Sequence, residues 1–67
     1  MLRGGILTPE QERWAEAHTV LELHGRAVFE FIAGRITELA TAGDEAGVTR
    51  WRQIAGRVGQ LQSGTLQ

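Results

Sequence analysis

The sequence contains no cysteine and no lysine, so all seven of its basic residues are arginine. Without cysteine there can be no disulfide and no thiolate zinc site. Long apolar runs are missing as well. Met1 to Leu7 carries one arginine and only a few apolar residues, well short of a signal-peptide core, and nothing later approaches membrane length. Neither sign of charge dominates, since seven arginines face eight acidic residues for a net charge of −1. Nucleic acid is therefore an unfavoured partner. These absences set the expectation of a soluble, cytoplasmic protein with no membrane association.

They also pose an energetic problem. A single core in a chain of 67 residues rarely supplies more than roughly 3–5 kcal/mol. The usual supplements are disulfides, a structural metal or a partner chain. With cysteine gone and only His18 and His24 as imidazole ligands, elimination leaves oligomerisation.

What is present organises itself around Thr41-Ala42-Gly43-Asp44-Glu45. Gly43 can adopt the left-handed conformation that closes a helix, and Asp44 can accept hydrogen bonds from the free N–H groups of the next one. Upstream, Thr8-Pro9-Glu10-Gln11 is a helix start: Thr8 as N-cap, Pro9 at the first helical position, and Gln11 three residues after the cap. From Pro9 to about Ala42, Trp14, Leu21, Val28, Ile32, Ile36 and Leu39 fall on one stripe of a 3.6-residue period. Val20, Leu23, Ala27 and Phe31 lie on the adjoining flank. Polar residues keep to the remaining arc. More than half of the middle circumference is apolar, which a helix with one neighbour does not need.

A second helix, about 45–62, repeats Val48, Trp51, Ala55 and Val58 at threes and fours, flanked by Ile54 and Leu61. The expected fold is all-α: an antiparallel helical hairpin with a long helix at 9–42 and a short one at 45–62. Residues 1–8 read as a flexible tail and 63–67 as a frayed end. Gly25 and Gly34 interrupt the first helix. Breaking the chain at His24-Gly25 would give three helices in a monomeric bundle. The continuous helix is favoured because the stripe keeps phase from Leu21 to Val28 and no capping residue follows Gly25.

At about 1.5 Å per residue the long helix spans roughly 50 Å and the short one about 27 Å. Folding back from Gly43 sets Leu39 near Val48, Ile36 near Trp51, Ile32 near Ala55 and Val28 near Val58. The first half of the long helix is then uncovered. The sequence thus predicts an antiparallel homodimer forming a four-helix bundle, with Trp14, Leu21, Leu23, Val28 and Phe31 as the self-association residues. An unidentified protein partner is a further possibility at the same surface.

Chemistry is harder to find. His18 and Glu22 share a helix face, but the Glu-x-x-His and His-Glu-x-x-His patterns of metal bundles and zinc peptidases are lacking. A surface contact is the simpler reading. His24, on the apolar flank, reads as a packed histidine. The glutamates have polar surroundings unsuited to an acid catalyst, no Gly-rich loop follows a strand, and no nucleophilic constellation is present. The expectation is a non-enzyme with no cofactor and no metal. Arg50 and Arg57, seven apart on the second helix, are the weak candidates for nucleic-acid contact. Pairing with acidic residues is the commoner use of such arginines. Trp14 and Trp51 are the largest single sources of burial, with Trp51 in the core and Trp14 at a subunit interface.

The arrangement Pro9-Glu10-Gln11-Glu12-Arg13-Trp14, Phe31-Ile32-Ala33-x-Arg35-Ile36 and Ala42-Gly43-Asp44-x-x-Gly47-Val48-x-x-Trp51-x-x-Ile54 resembles a group of short uncharacterised proteobacterial proteins. The resemblance implies a small helical protein of unknown function. It carries no catalytic signature and no site residues.

Overall fold

The computed structural model describes residues 8–64. The tail expected at 1–8 and the frayed end at 63–67 therefore fall largely outside the described residues. At Thr8 the capping box forms in full: the hydroxyl accepts the Gln11 N–H at 3.1 Å and the Gln11 side-chain oxygen accepts the Thr8 N–H at 3.0 Å. Each partner satisfies an N–H that the first helical turn leaves free. Helix α1 (Pro9–His24) begins there.

The first arm is not continuous. After α1 comes a 3₁₀ turn at Gly25–Ala27, then α2 (Val28–Thr41), and after the hairpin turn α3 (Glu45–Ser63). The expected single helix over 9–42 is thus corrected at Gly25, which turns to φ 52° and ψ −122° while its N–H still reaches the Leu21 carbonyl. Residues with a Cβ avoid positive φ, and glycine alone takes it without penalty. Burial explains why the break wins over the periodicity. Three more helical residues are worth a few tenths of a kcal/mol each, whereas a large apolar side chain removed from water is worth roughly 1.5–3 kcal/mol. The bend lays α1 against α3 and buries Ala17 and Val20.

The expected overhang disappears with it. A straight first helix would carry Arg13 and Glu16 far beyond the end of α3. Instead Arg13 donates to the Gln53 side chain at 2.9 Å and Glu16 pairs with Arg50. The longest extent of the molecule, 41 Å, is also shorter than such a helix.

The turn at Gly43-Asp44 is where the sequence places it. Gly43 sits at φ 79°. The Asp44 N–H bonds the Leu39 carbonyl at 2.9 Å and the Gly43 N–H bonds that of Ala40 at 3.1 Å, the paired closure of a Schellman motif. Asp44 Oδ1 then accepts the Gly47 N–H at 2.8 Å and starts α3.

The core consists of Ala17, Val20, Val28, Ile32, Ile54 and Val58, with Leu21, Phe31, Ile36, Trp51, Ala55 and Leu61 packed around it. No polar or charged residue is buried among the described residues. The seam of α3 is recentred relative to expectation: Ile54, read as a flank, is fully buried, while Trp51 and Ala55 are half-buried. Two neighbours instead of one cause the shift, because α3 packs against both α1 and α2.

Candidate functional site

The five residues expected to mediate self-association do not end up together. Val28 is fully buried among the chain's own core residues and has no surface left for a partner. Trp14 and Leu21 are half-buried along α1. Trp14 lies under the Arg57 guanidinium, 5.1 Å from the ring centroid, a cation–π contact between α1 and α3. Phe31 stacks on His24 with ring centroids 3.9 Å apart and 14° between planes, and meets the edge of Trp51 at 5.7 Å. His24, the last residue of α1, therefore ties α1 to α2 through Phe31, and Phe31 ties α2 to α3 through Trp51. Arg35 completes the row over the Trp51 ring at 5.6 Å.

Leu23 alone of the five is open, 73% exposed on α1 just before the bend. Phe29, just after it, is 44% exposed and was not singled out in the sequence. Phe29, Ala33 and Ala40 recur at four and seven and are all exposed on α2. The excess apolar arc already seen along the middle of the chain was the available signal for this surface. Between α1 and α3 runs a groove of about 310 Å³ lined by Ala15, Thr19, Val20, Trp51 and Ile54 together with the Glu16–Arg50 pair.

The arginines proposed as nucleic-acid contacts are engaged inside the molecule. Arg50 donates to Glu16, and Glu16 also accepts from Arg13 at 3.1 Å. Its hydrogen bond to Glu16, and then the attraction of that carboxylate, raise the pKa of Arg50 further above its already alkaline value, against a small opposing effect of burial. Arg57 spends its charge on Trp14, and its Nε is buried without a hydrogen-bond partner.

His18 and Glu22 stand 3.9 Å apart, 62% and 71% exposed, as a surface pair on one helix face. No cluster of three or more histidine, cysteine or acidic side chains suited to a metal occurs among the described residues. No described helix is long and apolar enough to cross a membrane. Of the other carboxylates, Glu38 pairs with Arg35 at 2.8 Å and Asp44 caps α3.

A family model described as "Family of unknown function (DUF6961)" matches residues 9–65. The chain belongs to this family. The match begins at the residue that opens α1 and covers all three helices, so it is the whole helical unit that the family shares. Comparison with curated proteins and with solved structures finds no match.

Proposed function

We propose that this member of the family is a non-enzymatic helical protein that self-associates and serves as a structural or regulatory protein-interaction adaptor. The observation that carries the proposal is the pair of large apolar side chains left in solvent on either side of the bend, Leu23 and Phe29. A core of six buried residues among those described supplies little stability alone, and covering these side chains against another chain adds burial where the fold lacks it. Arg50 and Arg57, the residues for the competing nucleic-acid reading, already have intramolecular partners.

Sedimentation analysis of the untagged chain tests the proposal. A monomer–dimer equilibrium is expected in the micromolar to submillimolar range. Replacing Leu23→Arg should weaken it about a hundred-fold or more, the equivalent of one large apolar side chain on each of the two chains. A chain that stays monomeric throughout that range contradicts the reading.

A further inference from the structure

We infer that the bend at Gly25 is a hinge, and that the self-associated form is made by opening it: residues 9–42 straighten into one helix and α1 docks on α3 of a second copy. The inference rests on the self-association reading and specifies how it is built.

Four observations support it. The first is that the bend depends on one residue. Gly25 is at φ 52°, ψ −122°, whereas His24 (−112°, −16°), Ala27 (−87°, 9°) and Val28 (−59°, −42°) already lie in or beside the right-handed helical region. Turning Gly25 over is therefore the main change needed to run α1 into α2. The second is that no side-chain hydrogen bond caps the junction, which is crossed by the His24–Phe31 ring stack. Neither His24 at the head of the 3₁₀ turn nor Ala27 before α2 provides a side-chain cap, in contrast to Thr8 and Asp44. The starts of α1 and α3 are capped by a side chain, and that of α2 is not.

The third is the pattern that the bend disrupts. On a straight helix Val20, Leu23, Ala27 and Phe31 recur at three, four and four and make one seam. In the bent chain Val20 is buried and Phe31 half-buried, but Leu23 and Ala27 are in solvent. Straightening restores the seam and presents it to a partner. The fourth is the docking surface itself. The contacts of α1 on α3, namely Arg13 with Gln53, Glu16 with Arg50 and Trp14 with Arg57, lie between two elements joined only through α2 and its turns. A second copy can supply either side without any new contact, which is the general route of segment exchange. Released from its own α3, α1 extends roughly 24 Å past α2, enough to lie along the hairpin of an antiparallel neighbour, and the exchange is reciprocal about a two-fold axis.

Gly25→Ala tests the hinge. A Cβ at Gly25 would meet nothing within 4 Å, so the substitution acts through the backbone alone. Alanine disfavours positive φ and favours the helix interior, so the bent form loses on both counts, by about 30-fold per chain in the bent-to-straight ratio. The dimer dissociation constant counts two chains and should fall about a thousand-fold. Connectivity is read separately with Arg13→Cys and Gln53→Cys in one chain, treated with a short bis-maleimide. The native sequence has no cysteine to interfere.

The expected result is a dimeric Gly25→Ala chain whose thiols link between chains. A dimer whose thiols link only within each chain overturns the exchange while leaving self-association intact. A folded monomer at the concentrations where the native chain dimerises overturns the hinge. A native chain and variant both monomeric at every concentration overturn both readings. If Gly25→Ala does not fold, the same cysteine pair in the native background decides: interchain links that increase with protein concentration support the exchange, and links confined to single chains overturn it.

Discussion

Gly47 lies against the side chain of Asp44, so a larger residue there must push the cap aside. A Cβ there would come within 2.6 Å of the Asp44 carboxylate that caps α3. Gly56, in the middle of α3, has nothing within 4 Å and faces solvent. The two glycines should therefore respond differently to alanine. Gly56→Ala should stabilise the chain by about 0.5–1 kcal/mol, the ordinary helical gain. Gly47→Ala should show no such gain, because it displaces a cap worth about 0.5–2 kcal/mol. Asp44→Ala should cost a similar amount directly. Thermal unfolding of the three variants measures all of these, and an equal gain at both glycines would show that the cap is not formed. At this scale much was legible: Thr8, Gln11, Gly43 and Asp44 do what their chemistry dictates, because caps involve partners three to five residues away. Gly47 was not, because the crowding under Asp44 depends on how the cap side chain is aimed. The pairing of Arg57 with Trp14 was equally hidden, since 43 positions separate the two.

Among the elements, α1 is the one whose role changed. Its start was readable and its end was not. Periodicity records the order of apolar residues along the chain, and it runs through Gly25 unbroken. Whether the helix follows is settled by what α1 can bury against α3, some thirty or more positions away, and only the folded chain shows that Ala17 and Val20 are buried. Each helix gives the core two residues, but those of α1, Ala17 and Val20, are together smaller than Val28 and Ile32 of α2 or Ile54 and Val58 of α3. Amides of α1 should therefore exchange with solvent faster than those of α2 and α3, as hydrogen exchange will report. Substitution at the core should follow the same division. Ile32→Ala or Ile54→Ala should cost about 2–5 kcal/mol, a large part of the stability available to a chain of this size. The polar contacts of α1 should matter less. Arg50 is 52% exposed on its side chain, so a double-mutant cycle with Glu16 should give about 0.2–1 kcal/mol, reduced by salt. The raised pKa of Arg50 stabilises the fold at every pH below its unfolded value and is lost only as pH rises through the folded one. Both lie in the strongly alkaline range, so Arg50 contributes evenly across neutral pH.

The whole molecule is a short chain with a modest core; among the described residues it has no buried polar residue and two large apolar side chains in solvent. Such a chain gains from a second copy, and the sequence pointed that way for a reason the fold does not sustain: the arms of the hairpin do not leave an uncovered overhang. What remains is a tension between two states of the same segment. The periodicity of residues 9–42 describes a straight helix, and the packing of α1 on α3 describes a bent one. A single glycine separates them. The family match over residues 9–65 spans both arms of the hinge, so the bend and the surface it exposes lie inside the shared unit. The central claim is that this chain associates with itself, and the most direct measurement is its mass as a function of concentration. Sedimentation equilibrium of the untagged native chain should show the weight-average mass rising from one chain towards two between micromolar and submillimolar concentration. A mass fixed at that of a single chain across the range would contradict the account.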